Sequence, residues 1–251
     1  MNEDLLYRYN HSRPHFSQHW GSLWSDLGFS LPLPKYPLDI GCGTGRSSFW
    51  LSEESEGVVV VDPVKAHIDV ARKHLNGTNI EFHHTSAEDL SAIKSVSAKV
   101  DAVVFSGSFD WVNTYQTHNS LKRLGLDHLP IVCLWSWFNT SDSTTRAWYK
   151  IFRKHLGALY GADANEVILK AYLSLDSARG SKYFISIPYS ADMLFDFVLS
   201  SSYWRPSRPP WDGALLKQDI DNFIKECGSG GVVQINFVEI VVNGFLDEKP
   251  S

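Results

Sequence analysis

Short apolar runs alternate with amphipathic stretches along the first half of the chain, and this alternation predicts repeated β-α-β units. The apolar run 36–40 predicts a strand, and residues 46–54 after it predict a helix. Residues 57–62, Gly-Val-Val-Val-Val-Asp, have the β-branched composition of a buried parallel strand. Apolar positions at Val64, Ile68, Val70, Ala71 and Leu75 predict a crossover helix over 64–75, and residues 79–83 a third strand. Residues 100–105 and 130–137 predict the fourth and fifth strands. Strands separated by helices in this way build an open, mostly parallel sheet, whose ligands bind at the carboxyl ends of the strands.

The second half is less regular. Residues 144–156 predict a helix with Trp148, Ile151, Phe152 and His155 on one face. The pattern then loosens from 157 to 189, except for a strand over 183–187. A helix over 191–200 leads to the loop 204–211, and a helix over 212–226 follows. A glycine-rich turn at 228–231 precedes a closing strand over 232–242.

Between the first strand and its helix stands Asp39-Ile40-Gly41-Cys42-Gly43-Thr44-Gly45. Glycines at alternate positions permit positive φ and let a ligand approach the backbone. A dinucleotide site would want G-x-G-x-x-G, whereas the spacing here is G-x-G-x-G with Arg46 next. This loop, with its preceding acid, resembles the first motif of the class I S-adenosylmethionine (SAM)-dependent methyltransferases. The resemblance implies that the loop lies against the methionine end of SAM and that Asp39 helps to position it. Asp62 lies 23 residues after Asp39 (62 − 39) at the tip of the second strand, placed to accept both ribose hydroxyls. Its plainer role is a turn opener before Pro63. Residues 85–90, Thr-Ser-Ala-Glu-Asp-Leu, resemble the motif that meets the adenine ring. The family often has an acid at the position of Ser86, and the plainer reading is a helix N-cap at Ser86 with Asp89 at the third helical position.

The resemblance implies a Rossmann-like, doubly wound, seven-stranded and mostly parallel sheet of order 3-2-1-4-5-7-6, with an inserted lid. One methyltransferase domain would span 1–251, with a cover segment at 1–35 and a SAM-binding core at 36–137. Acceptor-binding elements would fill 138–230, and a closing strand 231–251. Cofactor contacts are implied for Asp39, Gly41, Cys42, Gly43, Asp62, Pro63, Ser86, Ala87, Glu88 and Ser106. The N-terminal stretch resembles a Tyr-x-x-x-Arg-Pro cover segment of the small-molecule, trans-aconitate-methyltransferase-like branch, which implicates Tyr9 and Arg13 as well. An amphipathic start that merely docks its aromatic residues is an equal alternative.

On the acceptor side, Asp110-Trp111 stands where that branch often has His-Trp. A histidine would be a natural base near neutral pH, whereas an aspartate needs an acidic acceptor or a raised pKa. Asp110 is therefore a candidate acid/base or orienting group, with helix capping as its plain alternative. His11 and His15, in the cover segment, are the histidines worth testing as a base. Trp111, Trp135, Trp137, Trp204 and Arg205 are candidate acceptor contacts, since aromatic walls and an arginine fork suit a small aromatic or carboxylate-bearing molecule.

Composition narrows the field. Net charge −5 and a pI near 6.0 argue against nucleic acid as the partner. The stretch Ser106-Gly107-Ser108-Phe109 also stands where a nucleic-acid methyltransferase would show Asn/Asp-Pro-Pro-aromatic. Cys42, Cys133 and Cys227 show no zinc spacing, and no metal site is expected. No apolar run is long enough to span a bilayer, and Met1-Asn2-Glu3-Asp4 does not open a signal peptide, so a cytoplasmic monomer or homodimer without membrane contact is expected. The expected activity is methylation by SAM of an oxygen, carboxylate or hydroxyl, on a small-molecule acceptor, leaving S-adenosylhomocysteine (SAH). The implied mechanism is in-line displacement at the sulfonium methyl. The alternatives are N-methylation of a small amine and a non-catalytic partner subunit that keeps the fold.

Overall fold

The computed structural model describes residues 3–14, 19–29, 31–156, 164–201 and 212–246. In chain order its elements are α1 (Glu3–Ser12), α2 (Trp20–Asp26), β1 (Pro37–Ile40), α3 (Arg46–Ser52), β2 (Val58–Asp62) and α4 (Lys65–His74). Next come β3 (Ile80–His84), β4 (Ala102–Ser106), α5 (Thr114–Arg123), β5 (Ile131–Phe138), α6 (Ser143–Leu156) and α7 (Ala164–Ser174). The chain continues through β6 (Leu175–Ser190), α8 (Ala191–Leu199), α9 (Gly213–Cys227) and β7 (Val232–Leu246). Short 3₁₀ turns stand at Leu90–Ile93, Ser97–Lys99 and Phe109–Trp111.

The strands form one seven-stranded mixed sheet of order β3-β2-β1-β4-β5-β7-β6, as the resemblance implied. Strand pairs β1/β2, β2/β3, β1/β4 and β4/β5 are parallel, with Asp39 opposite Val60 on one side and Val104 on the other. The order reverses between β1 and β4. In an open α/β sheet, the carboxyl ends of the two strands at such a reversal frame the ligand crevice. Burial explains the composition: all of Val58–Val61 lie inside, as the covering of both sheet faces by crossover helices requires.

The chain divides into two compact units, one of residues 1–15, 136–162 and 183–239, the other of 16–135, 163–182 and 240–251. The core of the first unit is aromatic. Trp148 and Phe152 of α6, Phe197 of α8, Phe223 of α9 and Phe237 of β7 are all buried in one cluster. Phe152 lies 5.3 Å from the Phe138 ring and 5.6 Å from that of Phe197. Phe152→Ala is expected to cost about 3–5 kcal/mol, read as a lower urea midpoint at unchanged slope. Of the face expected for this helix, His155 does not join the cluster but pairs with Asp219 at 2.7 Å.

Three expectations need correcting. The loose stretch 157–189 contains a helix, α7, and its strand runs sixteen residues rather than five. Helix α7 was hidden because its apolar residues do not keep to one face: Val167 and Ala171 are buried while Leu169 and Leu173 are exposed. The cap expected at Ser86 belongs instead to Asp89, whose carboxylate accepts from the Ser91 N–H at 3.1 Å and begins a 3₁₀ turn. Nor does Asp110 cap the following helix. Asn113 does so by accepting from the Gln116 N–H at 3.0 Å. Among the described residues no helix is long and apolar enough to cross a membrane.

Candidate active site

Asp39 is the third residue of β1 and is 0% exposed. The hydroxyls of Ser47 and Ser48, at the start of α3, both donate to its Oδ2 at 2.7 Å. Its Oδ1 is buried and accepts no hydrogen bond among the described residues. Desolvation raises the Asp39 carboxyl to about 6, against the two serine hydrogen bonds, with a smaller push from Asp62. A buried carboxylate with one unused oxygen carries an unmet demand for a donor or a cation.

The glycines after Asp39 serve different ends. Gly45 has φ +86°, and a Cβ there would stand 2.5 Å from Leu75 Cδ1 and 3.1 Å from Ala71 Cβ, so this glycine lets α3 pack on α4. Gly43 has φ +56° and nothing within 4 Å of where its Cβ would stand. The backbone at Gly43 is therefore open to an incoming ligand. Cys42, between Gly41 and Gly43, is buried, and desolvation pushes its thiol well above the ordinary cysteine range. A protonated thiol is no nucleophile.

Asp62 closes β2 beside this loop. Its Oδ2 accepts from the Gly43 N–H at 2.9 Å, and its Oδ1 from the Val64 N–H at 2.8 Å. The His67 Nδ1 of α4 also reaches Oδ1, at 3.1 Å. Pro63 is held from the other side by His84 Nε2, 3.0 Å from its carbonyl. The carboxylate is thus fixed in place and tied to the glycine loop.

At the next strand ends, Ala87 is buried while Ser86 and Glu88 are partly exposed. Glu88 accepts from the Asn113 N–H at 2.9 Å, which links the turn after β3 to the segment after β4. Burial works to raise the Glu88 carboxyl, but hydrogen bonds from Asn113 and its own backbone, with Lys170 nearby, hold it below the usual range. Ser106 ends β4, and the Asp110 carboxylate accepts from the Trp135 indole N–H at 3.3 Å. Trp135 is only 5% exposed, whereas Trp111 is 64% exposed.

Lys170 was not foreseen. From α7 its ammonium donates to the carbonyls of Phe109 (3.2 Å), Asp110 (3.4 Å) and Val112 (2.9 Å), using all three of its donors. It therefore fixes the turn that carries Asp110 and Trp111. Lys170→Met is expected to cost about 1–3 kcal/mol, with faster amide exchange at 109–112 and partial recovery in Lys170→Arg.

Asp39, Gly41, Cys42, Gly43, Asp62 and Pro63 gather about one loop. Tyr9, Arg13, His11 and Trp137 belong to the other unit. There the Arg13 guanidinium stands 4.0 Å from the Phe197 ring and 4.9 Å from that of Tyr9, and donates to the Phe197 carbonyl at 3.4 Å. His11 is exposed, with its Nε2 3.4 Å from the Tyr7 hydroxyl. His15, Trp204 and Arg205 lie outside the described residues. Sequence reasoning missed Ser47, Ser48, His67 and Lys170. The adjacent serine hydroxyls just after the glycine loop were a legible signal, because a buried acid needs donors.

The sequence model of a family described as "Methyltransferase domain" matches residues 38–125. The yeast (Saccharomyces cerevisiae) protein named "Probable S-adenosylmethionine-dependent methyltransferase CRG1" is 33% identical over 123 residues, covering 46% of this chain and 40% of that one. The match therefore spans about two fifths of the yeast protein's length. A candidate type II methyltransferase from Anaeromyxobacter dehalogenans shares the fold with TM-score 0.64 at 17% identity, over 93% of this chain and 97% of its own. The YcgJ protein of Bacillus subtilis does so with TM-score 0.55 at 13% identity, over 92% and 99%. The open loop at Gly43, the unused oxygen of Asp39 and the fixed Asp62 suit a cofactor with an ammonium and a ribose. The sheet order and the match over residues 38–125 make this part of the chain similar to the SAM-dependent methyltransferases.

Proposed function

We propose that the chain transfers the methyl group of SAM to an oxygen of a small-molecule acceptor, a carboxylate in the first instance. The observation that carries the cofactor half is the buried Asp39 with an oxygen that no group among the described residues uses, beside a glycine loop open at Gly43. SAM, when bound, supplies an electrophilic methyl on a sulfonium sulfur. Asp39 would hold the ammonium of its methionine end, and Asp62 the ribose hydroxyls. The 86–88 turn would border the adenine, and Ser106 would stand where the strand ends meet.

The acceptor half rests on what the segment after β4 presents. Asp110 is a carboxylate already bound to an indole N–H, and Lys170 has its donors engaged by carbonyls. Both groups are already engaged by the protein. An acceptor that arrives ionised needs no base, and most of the rate would come from alignment with the methyl group. The exposed ring of Trp111 offers such an acceptor an apolar wall. The net charge of −5 favours a small acceptor over nucleic acid.

The test is transfer of isotope-labelled methyl from SAM to panels of carboxylic acids, phenols and amines, with products identified by mass spectrometry. Methyl esters or ethers support the reading, while N-methyl products alone replace it. SAH binding without transfer to any of the three panels would favour a non-catalytic role.

A further inference from the structure

Among the described residues, every donor on Asp62 except one comes from the backbone. The Val64 N–H, just before α4, and the Gly43 N–H of the loop cannot leave without refolding those segments. The exception is the His67 ring, whose Nδ1 lies 3.1 Å from Oδ1. A carboxylate only accepts, so Nδ1 carries the proton and donates. Each carboxylate oxygen offers two lone-pair sites. Oδ1 has both filled, by Val64 and His67, and Oδ2 has one filled, by Gly43. One site remains, whereas a ribose presents two hydroxyls. The His67 side chain is 23% exposed and that of Asp62 7%, so the histidine is the more accessible of the two.

We propose that His67 is a further cofactor-site residue that competes with the ribose for Asp62: in the free protein it fills the place of one ribose hydroxyl, and SAM must displace it to bind. This rests on the reading of Asp62 as the ribose carboxylate. The contact holds Asp62 ready while the site is empty, and it subtracts from the affinity for the cofactor. It would also favour ligands whose two hydroxyls together outweigh the histidine bond.

Calorimetric titration with SAH at pH 8 tests the competition in four proteins: wild type, His67→Phe, Asp62→Asn and the double variant. Phenylalanine keeps the ring but has no Nδ1. His67→Phe is expected to bind SAH about three- to tenfold more tightly than wild type, and the gain should vanish in the Asp62→Asn background. Unchanged or weaker binding by His67→Phe, with its melting temperature intact, overturns the proposal and makes His67 a support or a bystander. Wild-type affinity in Asp62→Asn overturns instead the assignment of the ribose to Asp62, and the proposal with it. If His67→Phe is poorly folded, nitrogen NMR of His67 in the wild type decides. The Nδ1–H···Asp62 bond should be present in the free protein and lost with SAH, and its persistence in the complex refutes displacement.

Discussion

Asp62→Ala is expected to lower the affinity for SAH at least about a hundredfold, close to 3 kcal/mol, with little loss of unfolding stability. Two effects combine. The variant loses a charged acceptor for the ribose hydroxyls, and each hydrogen bond to a charged group contributes about 1.5–3 kcal/mol. It also frees the Gly43 N–H, which Asp62 holds at 2.9 Å, so the glycine loop loses its brace. Equilibrium dialysis with labelled SAH measures the first effect, and urea unfolding of the free protein controls for stability. A change below threefold would mean that this carboxylate is the turn opener its Asp-Pro sequence also allows.

The second large effect is a pH dependence that Asp39 imposes. Desolvation raises its carboxyl to about 6 in the free protein, above the ordinary 3.8. The folded state therefore binds the Asp39 proton more tightly than the unfolded chain does. This group makes stability fall as pH rises from near 4 to near 6, by about 3 kcal/mol in all, and the cost stays in force above that. A bound ammonium would reverse the balance by holding Asp39 ionised. The affinity for SAH should thus be nearly constant between pH 7 and 8, before the ligand's own ammonium loses its proton. It should fall about tenfold between pH 7 and 5, as the carboxyl takes up a proton. Thermal stabilisation by saturating SAH should accordingly be larger at pH 7.5 than at pH 5. Asp39→Asn should bind weakly at both values and show no such slope in its own affinity. A wild-type affinity as strong at pH 5 as at pH 7 would remove Asp39 from the methionine end.

Much of the cofactor half was legible because local chemistry dictates it. A β-branched run ending in an acid, and alternating glycines after a strand, leave few conformations open. The first five strands fell within two residues of their expected limits. The seven-strand order came from the resemblance rather than from periodicity. Legibility failed where a segment's surroundings decide its structure. Helix α7 exposes leucines as well as burying apolar residues, which blurs its period, and the first half of β6 is polar, with Ser177 at φ +55° and Gly180 breaking the alternation. Partners distant in sequence were equally hidden: no local pattern announces that Lys170 reaches back sixty residues to the Asp110 carbonyl. The Asp39 serines, eight and nine residues on, could have been read from the need of a buried acid for donors, whereas only three-dimensional packing reveals that the His67 ring nitrogen, five residues after Asp62, turns toward it.

The central claim is that the loop from Asp39 to Gly45, closed by Asp62, holds SAM. Calorimetric titration of the folded wild-type protein with SAM and SAH tests it most directly. One site per chain with micromolar affinity for both is the predicted result, about 8 kcal/mol of binding free energy. No heat and no thermal stabilisation with either ligand at millimolar concentration, in a sample that unfolds cooperatively, would contradict it.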